Sequence, residues 1–96
     1  MTKLQRVYKY YNRRYFGSLL PTDTPVYWEK ISEYGCITTE DEIILNSAYR
    51  KVAEVWRLTL LHEMVHLYLK PYRGHGKRFQ QEMVRLAKQG ALKYLW

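Results

Sequence analysis

Val55-Trp56-Arg57-Leu58-Thr59-Leu60-Leu61-His62-Glu63-Met64-Val65-His66-Leu67-Tyr68-Leu69 decides how this chain reads. It is an apolar run of helical length carrying an H-E-x-x-H motif. Residues four apart share one face of an α-helix, so His62 and His66 present their imidazoles side by side, within reach of one metal ion. Glu63 is rotated about 100° from His62 around the axis. There it can serve as a base toward a metal-activated water without ligating the metal. Two ligands and a general base from one helix are the signature of a zinc hydrolase. An ionisable His-Glu-His cluster on a helix buried along one face is costly unless something satisfies it.

Around this helix the chain divides into short elements. Residues 3–16 read as an amphipathic helix with Leu4, Val7, Tyr8, Tyr11 and Tyr15 on its buried stripe. Thr2 with Gln5 forms a capping box at its start. Gly17-Ser18 and Pro21 end it. Val26-Tyr27-Trp28, Gly35-Cys36-Ile37-Thr38-Thr39 and Glu42-Ile43-Ile44-Leu45-Asn46 have strand character, the last two as a hairpin turning at Glu40-Asp41. A helical start is expected at Ser47. The motif helix spans about 53–69, broken by Pro71 and Gly74. A last helix spans about 76–89, with Phe79, Met83, Leu86 and Ala87 inward and Gly90 as its stop. Ala91 to Trp96 is an apolar tail expected to pack back. The expected fold is α+β: an N-terminal helix, a small three-stranded antiparallel sheet, the motif helix and a C-terminal helix.

At 96 residues the chain has room for one small domain, residues 1–96. Its apolar fraction of 47% marks it as globular rather than disordered. A single cysteine, Cys36, excludes an intrachain disulfide and a cysteine-based zinc ribbon. No signal-like leader and no membrane-spanning apolar run occur, so a soluble, cytoplasmic protein without membrane contact is expected. The net charge of +7 is uneven. Residues 1–22 carry +5, residues 23–69 carry −4 and residues 70–96 carry +6. If the ends meet, Lys3, Arg6, Lys9 and Arg13 with Lys77, Arg78, Arg85 and Lys88 form a basic surface suited to the phosphates of DNA. The same charges on a solvated face would serve solubility alone.

A catalytic zinc takes three protein ligands and keeps one position open. His75, between Gly74 and Gly76, is the favoured third candidate, because its flanking glycines permit close backbone approach. Glu82, on the following helix, is the rival. Zinc would lower the pKa of water from 15.7 towards about 7, and Glu63 would carry its proton to a leaving amine, which describes peptide-bond hydrolysis. Tyr68, Tyr72 and Arg73 lie near enough in sequence to stabilise an oxyanion, although most of the ten tyrosines are expected to pack.

With these residues in place, the chain resembles the SprT-like family of zinc metallopeptidases. The likeness rests on H-E-x-x-H after Leu60-Leu61, on Gly74-His75-Gly76-x-x-Phe79, and on Tyr11-Asn12-Arg13-Arg14-Tyr15-Phe16 followed by Leu19-Leu20-Pro21. Val26-Tyr27-Trp28, the Gly35 strand and Ile43-Ile44-Leu45-Asn46 follow in the family's order, so the likeness covers roughly residues 4–88. It implies a zincin-like fold, zinc on His62, His66 and His75, Glu63 as catalytic base, and a link to DNA, since eukaryotic relatives degrade proteins crosslinked to DNA. The chain departs from many relatives in a shorter gap between His66 and His75 and in lacking a C-terminal zinc ribbon. Two other readings are a zinc peptidase for one dedicated protein without DNA, and a non-catalytic zinc-binding interaction module. A peptidase with an open site is expected to show low basal activity until gated.

Overall fold

The computed structural model describes residues 1–71 and 74–92. Helix α1 spans Lys3–Tyr15. Thr2 Oγ1 accepts from the Gln5 amide and Gln5 Oε1 from the Thr2 amide, the reciprocal capping box expected there. Leu4, Tyr8 and Tyr11 are buried, with Val7 and Tyr15 packed partly against the same core. Asn12 is buried too, which apolar periodicity does not foresee. Its side-chain amide donates to Leu20 O (2.8 Å) and its carbonyl accepts from Leu20 N (3.1 Å). This doubly bonded amide ties the segment after α1 back along the helix. The Tyr8 hydroxyl does the same further on, donating to Pro21 O at 2.6 Å.

Strands β1 (Val26–Glu29), β2 (Gly35–Ile37) and β3 (Ile43–Asn46) form one sheet in the order β1-β3-β2. The expected antiparallel sheet is mixed instead. β2 pairs antiparallel with β3, Cys36 opposite Ile44, as the hairpin reading required. β1 pairs parallel with β3, Val26 opposite Ile43 and Glu29 opposite Asn46. Parallel neighbours need a long crossover, and here residues 30–42, which contain β2, provide it. Asn46 holds that crossover in place. Its amide nitrogen donates to Ile31 O (2.9 Å) and Glu33 O (2.8 Å), and its carbonyl caps the Ser47–Tyr49 3₁₀ turn by accepting from Ala48 N. All four residues of β3 are buried, as suits a central strand.

Helix α2, Ala53–Tyr68, carries the H-E-x-x-H motif and packs on β2, β3 and the helix that follows. It is buried around most of its circumference rather than on one face. Leu60, Leu61, Glu63, Met64, Val65 and Leu67 are all enclosed, leaving His62 and His66 on a half-open strip. Helix α3, Lys77–Lys88, turns Phe79 and Leu86 into the core. Met83 packs beside them, whereas Ala87, expected inward, is exposed. Ala91 and Leu92 fold back as expected and are buried. The rest of the tail, residues 93–96, lies outside the described residues, as do Tyr72 and Arg73. No described helix is long and apolar enough to cross a membrane.

Candidate metal centre and cleft

His62 and His66 project from successive turns of α2, and His75 reaches the same point from the segment leading into α3. The His62 and His66 Nε2 atoms are 3.2 Å apart, His66 and His75 2.9 Å, and His75 and His62 3.2 Å. Three ring nitrogens therefore converge on one spot, and among the described residues this is the group of side chains arranged to hold a metal ion. An ion bound tetrahedrally at about 2.0–2.1 Å from each imidazole would keep the nitrogens roughly 3.3 Å apart. The donor set therefore fits a metal such as zinc. Glu82, the rival ligand, pairs with Arg85 Nε at 2.7 Å on its own helix and is not in this group.

The imidazoles are held by more than their backbone. The buried Phe79 ring packs against all three, with centroids 4.8 Å from His62, 4.7 Å from His66 and 4.8 Å from His75. Phe79 reads from sequence as one more core position of α3. Its place in the Gly74-His75-Gly76-x-x-Phe79 motif is the sequence signal that it also supports the site. Burial, with the neighbouring His66 and His75 rings, pulls the His62 pKa down to about 4. Burial and His75 also lower that of His66. Both effects favour neutral imidazole, the form a metal requires. Burial alone pushes the Glu63 carboxyl up to about 7, into the range where a side chain exchanges protons readily at neutral pH.

A cavity of about 360 Å³ opens over these groups. One wall is α2, with His62, Glu63, His66 and Lys70 just beyond its end; the other is β2 and the turn after it. Gly35, Cys36 and Ile37 all line it. Side chains of consecutive strand residues point to opposite faces, so a cavity bounded by three in a row meets the strand's edge. Among the described residues that edge is free, because β2 pairs there only with β3. Gly35 lets β2 approach α2 closely. A Cβ there would lie 2.6 Å from Thr59 Cγ2 and 3.0 Å from Ile44 O. Thr59 cannot turn away freely, since its hydroxyl donates to Val55 O at 2.8 Å. Gly35→Ala is expected to cost about 1–3 kcal/mol through overpacking. Adding Thr59→Ser removes the methyl and should recover part of that loss in urea melts, with the Ile44 contact retaining the remainder.

A sequence model of the SprT-like family matches residues 4–94. The chain belongs to the SprT-like family. This membership is compatible with a metallopeptidase, and no curated relative matches the chain.

The other candidate residues of this SprT-like chain fall elsewhere. Tyr68 packs at a tilt against Phe16, ring centroids 5.5 Å apart, and does not line the cleft. The basic ends of the chain meet where Arg85 Nη1 donates to Tyr15 O at 2.6 Å. Arg85 also donates to Gln89 and lies over the Phe16 ring, so its guanidinium joins α3 to the end of α1. Lys3 lies 6.0 Å from the Trp56 ring and Arg13 5.9 Å from the Tyr10 ring. Arg6 donates to Met1 O, Lys9 is partly buried, and Lys77, Arg78 and Lys88 are exposed on α3.

Proposed function

We propose that residues 1–96 act as one zincin-like metallopeptidase domain that hydrolyses peptide bonds in DNA-associated proteins. The convergence of His62, His66 and His75 beside the buried Glu63 carries this reading. Zinc held by the three imidazoles would polarise a carbonyl and lower the pKa of water at the site. The free edge of β2 would take an extended peptide as an added strand, its backbone N–H and C=O groups answering those of the edge. This lays a peptide bond along the wall facing Glu63. Glu63 accepts a proton at its carboxylate as water is consumed and passes it to the departing amine. Its burial beside the cleft matches that task, and a purely structural metal site has no need of such a base.

The DNA part of the reading rests on charge. The basic residues of α1 and α3 are brought toward one another where Arg85 meets Tyr15, and Lys and Arg hold phosphates through a salt-sensitive, sequence-independent attraction. Arg85 is held by Glu82, Tyr15 and Gln89, so the proposed surface relies less on it than on the exposed Lys77 and Lys88 of α3 and the basic residues Lys3, Arg6, Lys9 and Arg13 of α1. The test is cleavage of a DNA-binding protein by zinc-loaded protein, with and without single-stranded DNA. Cleavage stimulated by DNA is expected, with the stimulation fading as salt rises. Cleavage indifferent to DNA would replace this reading with a peptidase for a dedicated protein substrate.

A further inference from the structure

The metal cleft has a neighbour. A second groove of about 530 Å³ lies beyond the end of α2, lined by Leu19, Leu20, Leu69 and other residues. Asp41, Leu67 and Lys70 border both cavities. Lys70 Nζ meets Asp41 Oδ2 at 2.5 Å, joining the end of α2 to the turn between β2 and β3. The two long walls of the cleft, the helix and the strand edge, are thus bridged at one end by an ion pair, and the second groove continues on its far side.

We propose that the Lys70–Asp41 ion pair is the end wall of the peptide cleft and limits how many residues a substrate places before its scissile bond. The proposal rests on the metallopeptidase reading. β2 runs from Gly35 toward Asp41. A peptide added antiparallel to its free edge therefore runs the other way, with the residues preceding the scissile bond at the Asp41 end. Those residues meet the ion pair. Past it, the exposed Leu19 side chain, with the buried Leu20 and Leu69 beside it, offers an apolar contact in a groove that Arg78 also lines. The wall is a soft one: the two side chains are 49% and 41% exposed, and exposed pairs contribute little to stability. Substituting either residue should leave the fold intact. Asp41 has a positive φ of 63°, a conformation asparagine tolerates well, so Asp41→Asn removes charge without straining the turn.

The test uses hydroxamates, which bind zinc directly and extend on the side preceding the scissile bond. Acetohydroxamate and a ladder of N-acetylated peptide hydroxamates, lengthened one residue at a time and each with leucine as its N-terminal residue, are titrated onto zinc-loaded wild type, Asp41→Asn and Lys70→Gln. Acetohydroxamate should bind all three proteins alike. For wild type, affinity should stop rising once the ladder reaches the ion pair. For both variants it should keep rising, by about tenfold for the probe whose leucine reaches the second groove. Wild type at about 1 M salt, where screening shortens the Debye length to about 3 Å, should move toward the variants. Superimposable ladders for all three proteins would overturn the wall and leave the metal cleft standing. Failure of acetohydroxamate to bind any zinc-loaded protein would remove the metallopeptidase reading, and the wall with it.

Discussion

Glu63→Gln is expected to lower peptide hydrolysis by about 10²–10⁴-fold while zinc binding stays within a small factor of wild type. The substitution keeps the shape of the side chain and removes its proton affinity. Glu63 does not belong to the group formed by His62, His66 and His75, so metal affinity is not its contribution. Cleavage and zinc affinity measured on the same preparation separate the two roles. Equal turnover by wild type and variant would show that Glu63 is not the base.

The same variant carries a second signature, readable without substrate. In the metal-free protein burial raises the Glu63 pKa to about 7 from an ordinary 4.5. The folded state therefore holds this proton more tightly than the unfolded chain does. The associated stability is fully present below pH 4.5 and is lost as pH rises through about 7. His62 and His66, with lowered values, act in the opposite sense, which obscures the effect in wild type alone. The difference between Glu63→Gln and wild type isolates it. Metal-free Glu63→Gln should gain stability relative to wild type between pH 5 and 8. A difference that stays flat across that range would mean the carboxyl is solvated.

Why the motif was legible and the sheet was not has a physical answer. H-E-x-x-H declares itself because helix geometry alone brings i and i+4 together, and His75 could be nominated because Gly74 and Gly76 flank it. Likewise Thr2 and Gln5 interact over one turn, so the start of α1 was readable to the residue. The pairing of β1 with β3 depends instead on a contact made across thirteen residues. Asn46 fastens that crossover, its side chain gathering Ile31 O and Glu33 O. Nothing in a strand's own composition announces that. The unbroken apolar run Ile43-Ile44-Leu45 did hint at a central strand, since an edge strand with one wet face would alternate. Arg85 misled for a related reason. As a charge on a helix it reads as surface, but Tyr15 O, seventy residues away in sequence, is its partner. Asp41 and Lys70, twenty-nine residues apart, escaped notice in the same way.

Metal removal should be the largest change in stability. Three imidazole nitrogens within 3.2 Å of one another, two of them with lowered pKa values, make a site that lacks any internal partner as good as a cation. A ligand that binds only the folded state adds RT ln(1 + [L]/Kd), about 4 kcal/mol when free zinc is a thousandfold above Kd. For a domain of this size that corresponds to a Tm roughly 15–30 °C higher, given about 4–8 °C per kcal/mol. Chelation should reverse the whole rise. His66 is a suitable residue to remove, because it supplies one of the three converging ring nitrogens and is not part of the buried core. His66→Ala should weaken zinc binding by more than the roughly 10–100-fold that loss of an outer-shell partner costs. It should also abolish most of the zinc-induced rise in Tm. The metal-free variant should still fold, because His66 is half exposed and the core beneath it, Leu60, Leu61, Met64 and Val65, is unchanged. A Tm that responds to zinc equally in wild type and His66→Ala would place the metal elsewhere, and would detach Glu63 from the chemistry proposed for it.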